Sequence, residues 1–341
     1  MKAESECILK EGRNCWRKAH AGRIALLVDG AAYFDALAET VEQARKTIYI
    51  AGWDFDSRIA LTRRTGGAVS LGDLLNQKVS HSPDLRVYVL VWDWAMIYFT
   101  ERQWLPILTL PWKRHRRISF NTDEEHPIGA SQHQKMVVID DAVAFCGGID
   151  LTKNRWDTVE HLPQNPHRKT PGGSAYGPFH DVQMAVDAAA AAALGDLFRD
   201  RWRWATGQAL QPPGQVHPAP WPPSVNPDLS EASVAVSRTL PAYKGRPEAR
   251  EIQRLYRDGI AAAEKWIYIE NQYLTAGDIA GHLIQRLEQE NGPEIVIVLP
   301  RASDGWLEKS TMDAIRNRIV TRMIAADRHK RLSIVYPTVG D

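Results

Sequence analysis

Residues Ser131–Leu151 read SQHQKMVVIDDAVAFCGGIDL and hold a compact set of chemically capable side chains: His133-x-Lys135-x4-Asp140, then Gly147, Gly148 and Asp150. If this stretch is a strand, alternation places His133, Lys135, Val137 and Ile139 on one face. A lysine is rarely buried without a partner, so a Lys two residues from a His on such a face points to a bound anion. Lysine offers positive charge to phosphate oxygens, and histidine offers a nucleophile or proton carrier near neutral pH. A pattern this short recurs by chance in roughly one chain in a few tens. Its weight comes from its place at a strand start, from the glycine pair behind it, and from the repeat described next.

The elements that must position these residues alternate. Apolar alternation predicts strands at Thr47–Gly52, Leu85–Trp92, Met136–Asp140, Val143–Cys146, Ser233–Ser237, Trp266–Glu270, Glu294–Leu299 and Leu332–Tyr336. Helical periodicity covers Ala31–Lys46, Ala188–Trp204, Glu248–Ala263, Ile279–Gln289 and Glu308–Ala326. This order predicts an α/β fold, an α-β-α sandwich around a mostly parallel or mixed sheet. Asp157–Phe179, rich in Pro and Gly, is expected to be a long irregular loop. The proline-rich stretch 211–230 is expected to be an extended linker.

The two sides of that stretch resemble each other. TIYIAGWDF (Thr47–Phe55) matches WIYIENQYL (Trp266–Leu274) with Ile48 on Ile267, an offset of 219. LRVYVLV matches PEIVIVLP with Leu90 on Leu299, an offset of 209, and RRISF matches KRLSIVY with Ile118 on Leu332, an offset of 214. Three matches in one order predict an internal duplication, with a first repeat over 1–210 and an incomplete second one over 231–341.

Composition narrows the class. Lys+Arg number 42 and Asp+Glu 41, a formal charge of +1, which argues against a nucleic-acid binder working by bulk charge. Three cysteines (Cys7, Cys15, Cys146) are too few for a disulfide framework. No apolar run approaches the roughly 20 residues of a membrane span, and the N-terminus has no apolar signal core. The expected place is the cytosol, with a peripheral membrane role open.

In combination these words resemble the phospholipase D superfamily, whose signature is H-x-K-x4-D followed by a G-[GS]-x-[ND] turn. GGIDLTKNRWD (Gly147–Asp157), PFHDVQMAV (Pro178–Val186) and IYIENQYL (Ile267–Leu274) resemble its true phospholipase D branch. The resemblance runs from about Arg23 onward. It implies hydrolysis of a glycerophospholipid phosphodiester to phosphatidic acid and free headgroup, with His133 attacking phosphorus to form a phosphohistidine. It also implies that Lys135 holds the non-bridging oxygens and that Asp181, in HDV, orients His133 as the third member of a triad does. Asp140 is expected to brace strand and turn, and Gly147 and Gly148 to let backbone approach the phosphate. Asp150 stands where many members have Asn. No metal or other cofactor is implied: HExxH and CxxC are absent, and His161 and His167 read as loop residues.

Such a site needs two histidines, one to attack and one to protonate the leaving alcohol. The sequence holds one H-x-K-x4-D. Adding the repeat offsets to His133 gives 342, 347 or 352, so the second motif is expected past residue 341 and this chain is read as truncated and inactive alone. A two-fold homodimer could pair two copies of His133, but the second repeat should occupy that surface.

Three further features carry expectations. Pro111–Arg117 (PWKRHRR) reads as a solvated turn or, more sharply, a contact for anionic headgroups. Of the tryptophans, Trp92, Trp156, Trp202, Trp204 and Trp221 are expected mostly in the core, and Trp94, Trp104 and Trp112 as an interfacial rim. Glu270, Asn271 and Gln272 are expected to face the cleft and bind substrate. The expected partner is a lipid surface and not nucleic acid. The alternatives are a headgroup-binding module using Lys135, a nuclease, or a cardiolipin synthase-like transferase.

Overall fold

A computed structural model describes residues 7–62, 68–92, 114–301 and 306–339. Trp94, Trp104, Trp112 and Pro111–Lys113 lie outside them. The chain forms two compact units, Lys18–Val236 with Val339–Asp341, and Met1–Arg17 with Ser237–Thr338.

The larger unit runs β1 (Arg17–Val28), α1 (Asp29–Gln43), β2 (Thr47–Gly52), β3 (Ala60–Thr62), β4 (Val69–Ser70), α2 (Leu71–His81), β5 (Arg86–Trp92), β6 (Ile118–Asp123), β7 (Met136–Ile139), β8 (Val143–Gly147), β9 (Val182–Asp187), α3 (Ala188–Thr206) and β10 (Leu229–Val236). Eight strands form one sheet in the order β10-β1-β9-β8-β7-β2-β5-β6, and β3 pairs with β4 separately.

The sheet is mixed. β2, β5 and β6 are parallel, whereas β7 pairs antiparallel with both β2 and β8, β8 with β9, and β9 with β1. The antiparallel half begins at a tight reversal over 140–142, where Asp140 and Asp141 take left-handed φ values of 55° and 51° and the Ala142 N–H donates to Ile139 O at 3.0 Å. Every residue of β2 is buried. One face, with Ile48, Ile50, Val87, Val89 and Ile118, joins the core built with α1 and α2. Onto the other face falls α3. Phe198 stacks on Tyr49 with ring centroids 4.7 Å apart, and Trp202 meets Tyr88 edge-on at 5.2 Å. Gly207, at φ 74°, ends α3 in the left-handed conformation a C-terminal cap favours.

Of the elements not foreseen, α2 has a local cause and β1 a distant one. Ser70 accepts from the Asp73 N–H at 3.1 Å and caps α2. β1 finds its neighbours far along the chain, with Ile24–Val28 pairing on β9 and β10 on its other side. The proline-rich stretch lacks helix and strand up to the start of β10 at Leu229 and packs on this unit. Trp221 is buried in the core, its Nε1–H donates to Val225 O at 2.9 Å, and its carbonyl accepts from Gln43.

The smaller unit contains β11 (Thr239–Leu240), β12 (Ala249–Arg250), α4 (Glu251–Ala262), β13 (Trp266–Glu270), α5 (Gly277–Glu288), β14 (Glu294–Val298), α6 (Trp306–Ala326) and β15 (Leu332–Val335). β13, β14 and β15 form a parallel three-stranded sheet in that order. Its core gathers Ile260, Leu283, Leu287, Ile295, Ile297, Ile319 and Met323.

The two parallel triplets share their register. Ile48, Val87 and Ile118 lie side by side in the first, and Ile267, Ile295 and Leu332 in the second. The offsets are 219, 208 and 214. The middle strand therefore aligns one residue away from the match read off the sequence, which gave 209. That single step decides which side chains share a face.

Candidate active site at the head of β7

The site begins with Asp140, at the far end of β7 from His133. Its carboxylate accepts three backbone N–H groups, those of Arg45 (2.8 Å), Lys46 (2.7 Å) and Thr47 (2.8 Å). Its own N–H donates to Thr47 O at 2.9 Å. Asp140 thereby ties β7 to the start of β2 and fixes the strand that carries the histidine.

At the other end β7 starts at Met136, so His133 and Lys135 occupy its extended lead-in. The Gly147 N–H donates to Lys135 O at 3.2 Å and continues the β7–β8 ladder to that point. His133 is exposed and Lys135 buried. Lys135 Nζ lies 3.3 Å from His133 O and 3.1 Å from Asp150 Oδ2, with Asp150 also buried. Asp150 Oδ1 accepts the N–H groups of Trp53 (2.9 Å) and Asp54 (3.3 Å). The Asp150 carboxylate is thus engaged by the protein on both oxygens. The Trp53 indole meets the His133 ring at 6.0 Å and 64°, and stacks on Trp92 at 5.7 Å.

Both glycines are closely approached, Gly147 by backbone and Gly148 by a carboxylate. A Cβ on Gly147 would lie 2.4 Å from Val182 O, and one on Gly148 would lie 2.1 Å from Asp181 Oδ1. Asp181 therefore sits against Gly148 and accepts the Val182 N–H at 2.7 Å. No hydrogen bond joins Asp181 to His133 among the described residues, so the orienting contact expected of Asp181 is not formed in this arrangement.

The charges shift one another. Partial burial and the Lys135 charge push the His133 pKa below its ordinary value, with Asp150 opposing and Arg155 adding to the fall. Burial lowers that of Lys135, and Asp150 pulls it back. Burial raises that of Asp181 against the pull of the Val182 N–H, Lys135, Arg155 and His180. A neutral imidazole beside a buried ammonium suits attack on a phosphate whose oxygens the ammonium holds.

Arg155 was not singled out from sequence. Half-buried, with its guanidinium 4.9 Å above the Phe179 ring, it acts electrostatically on His133, Lys135 and Asp181 together. Trp53 was passed over too, although the GWD word carries it. The other group missed is Asp29, His161 and His180. His161 Nε2 lies 3.3 Å from Asp29 Oδ2 and its Nδ1 lies 3.1 Å from Asp157, while His180 Nδ1 lies 2.8 Å from Asp29 Oδ1. Each of the three offers one ligand atom within 4.8 Å of the others, so they could hold a metal ion. They come from three distant segments, and only HD at His180–Asp181 marked the place in sequence.

The long loop behind the site is held by a buried pair. Arg168 Nη1 lies 3.0 Å from both Asp157 oxygens, and Asp157 also accepts from Phe179 N–H at 3.0 Å. Against the upward push of burial, these partners and His161 hold Asp157 below the usual carboxylate range. Glu270, Asn271 and Gln272 are exposed in the smaller unit at the end of β13. There the Tyr268 hydroxyl bonds Glu270, and Asn271 Oδ1 accepts from Tyr273 N–H at 2.9 Å.

Comparison with known proteins follows this geometry. A family model described as phospholipase D matches residues 40–103 and 113–291. Phospholipase D alpha 3 of Arabidopsis thaliana is 27% identical over 70% of this chain and 38% of its own length. Phospholipase D alpha 1 of Zea mays is 25% identical over 85% of this chain and 48% of its own. The chain spans less than half the length of these curated relatives. Phosphatidylserine synthase of Haemophilus influenzae shares the fold, with a TM-score of 0.59 and 14% identity over 94% of this chain and 75% of that one. No helix among the described residues is long and apolar enough to cross a membrane.

Proposed function

The chain belongs to the phospholipase D family, and we propose that it carries the nucleophilic half of a glycerophospholipid phosphodiesterase site. The reading rests on exposed His133 beside buried Lys135, itself held by Asp150. An imidazole nitrogen of His133 bonds to phosphorus as the bond to the headgroup oxygen breaks. The electron pair leaves on that oxygen, which then takes a proton. Water attacks phosphorus in the second step, the P–N bond breaks, and phosphatidic acid departs with the imidazole restored. Lys135 holds the non-bridging oxygens through both steps. The proton for the leaving alcohol is the task of a second histidine, and these 341 residues contain one H-x-K-x4-D.

A lipid surface is the proposed setting. Ile128, on the segment leading to His133, is fully exposed, and Val159 and Leu162 project from the loop after Asp157.

A substrate whose leaving group needs no proton isolates the first step. With bis(p-nitrophenyl) phosphate, residues 1–341 are expected to release one equivalent of p-nitrophenolate and to retain the phosphoryl group on His133, detectable by mass spectrometry. His133→Ala should give neither. Release without an adduct on His133 would remove the proposal. Phosphatidylcholine vesicles tested beside plasmid DNA separate lipid from nucleic-acid substrates.

A further inference from the structure

A nucleophilic imidazole must present one nitrogen along the line of attack, and free rotation about its side-chain bonds spreads it over several orientations. In a triad a carboxylate removes that freedom by accepting from the other ring nitrogen. Asp181 does not do so here, and no hydrogen bond reaches the His133 ring from any other described residue. What meets the imidazole is the half-buried indole of Trp53, 6.0 Å away between centroids with the planes at 64°. An edge-on contact of this kind is directional, because ring faces are electron-rich and ring edges are not.

Trp53 can orient a neighbour only if it is itself fixed, and it is fixed through both backbone and ring. Its N–H donates to Asp150 Oδ1 at 2.9 Å, while the other oxygen of that carboxylate holds Lys135 Nζ at 3.1 Å. One acid therefore sets the place of the ammonium and of the residue beside the imidazole. The Trp53 ring stacks on Trp92, with centroids 5.7 Å apart and planes at 21°. Trp92 is buried, and its Nε1–H donates to His126 Nε2 at 2.9 Å. That bond makes Nε2 the acceptor, so the His126 proton lies on Nδ1, 3.2 Å from Pro127 O. His126 follows a segment locked to α3. Arg201 pairs with buried Asp123 and donates to Glu125 O at 3.0 Å, and Asp123 Oδ1 accepts the Glu125 N–H at 3.1 Å. Contacts thus run without a break from the α3 ion pair through His126, Trp92 and Trp53 to His133.

We propose that Trp53 is the positioning residue of this site: held by Asp150 and Trp92, its indole keeps the His133 imidazole in one orientation for attack on phosphorus. The proposal rests on the reading of His133 as nucleophile, and its test reads the ring and the reaction separately.

In protein labelled at its histidine and tryptophan side chains, nuclear Overhauser effects are expected between the Trp53 indole and the His133 ring, with couplings that report a single His133 rotamer. Trp53→Leu should average those couplings over rotamers, and Trp53→Phe, which returns an aromatic face, should restore one. In the burst with bis(p-nitrophenyl) phosphate, Trp53→Leu should lower the saturating rate about tenfold and leave the half-saturating concentration within about twofold of the parent. Trp53→Phe should recover most of the rate. A single His133 rotamer in Trp53→Leu would overturn the proposal. So would rotamer averaging in the parent protein, a measurement that needs no variant to fold. A slower burst explained wholly by a higher half-saturating concentration would also overturn it, and would make Trp53 a substrate contact. A parent protein that holds one rotamer against Trp53 but forms no adduct on His133 would remove the catalytic reading and leave the contact standing.

Discussion

Lys135 Nζ and Asp150 Oδ2 stand 3.1 Å apart with both side chains buried. The pair explains how an ammonium survives in the lead-in to β7, because a buried lysine without an acid would lose its proton. Asp150→Ala leaves Lys135 buried without its acid. The release burst with bis(p-nitrophenyl) phosphate is expected to slow about 10²–10³-fold. Thermal stability should fall too, since breaking a buried pair from one side costs about 3–5 kcal/mol. A burst rate within a factor of about two of the parent would show that Lys135 does not depend on Asp150.

The pH profile of the burst follows from His133. Its nucleophilic form is the neutral one, and burial with the Lys135 charge lowers its pKa. The acid limb is therefore expected below the ordinary imidazole midpoint of about 6.5. Arg155 contributes to the lowering, so Arg155→Met should move the limb upward. A limb that moves down, or stays in place, would show that the Arg155 charge does not reach the imidazole.

Asp140 tests the brace. Asp140→Ala removes the acceptor of three N–H groups, at about 1–3 kcal/mol for each donor left unsatisfied and buried. Chemical denaturation should show a loss of several kcal/mol, and Asp140→Asn, which keeps one acceptor oxygen, a smaller one. Equal losses for both would mean that charge, not acceptor count, sets the contribution.

Gly148→Ala forces a Cβ to within 2.1 Å of Asp181 Oδ1. We expect a destabilisation of about 1–3 kcal/mol from the forced shift. Pairing it with Asp181→Gly should recover most of that loss, because the clashing carboxylate is gone. The sign for Asp181 alone runs the other way from a paired acid. Its folded pKa is raised, so its ionisation opposes folding as pH rises through and above the unfolded value near 3.9. Asp181→Asn should raise the thermal midpoint at pH 7 and have little effect at pH 3, read by differential scanning calorimetry.

Much of the architecture was legible in sequence because its elements are locally encoded. TIYIAG and WIYIE are β-branched and aromatic, and both form strands. Ala188–Trp204 carries a helical stripe and forms α3 to within a few residues. In the antiparallel half β7 and β8 were legible, but β1 and β9 were not, since they pair across the whole unit and neither alternates cleanly. The site was legible where chemistry is written in adjacent letters, as at His133, Lys135 and the glycine pair. It was not where partners come from afar. The buried hold of Asp150 on Lys135, the Trp53 ring beside His133 and the Asp29–His161–His180 group all need tertiary closure before they exist. The His133–Asp181 contact that resemblance implied is replaced here by the packing of Asp181 on Gly148.

The pairing of β1 with β9 also sets a clock. Ile24 meets Val186, 162 positions later, so β1 must wait on the ribosome for its neighbour. At about 5–20 residues per second that delay is about 8–32 s, and the closing of so long a loop is itself slow. Through this interval the core-facing side of β1, with Ala25 and Leu27, has no partner. The N-terminal strand of this fold thus depends on cover during synthesis until the sheet can close on it.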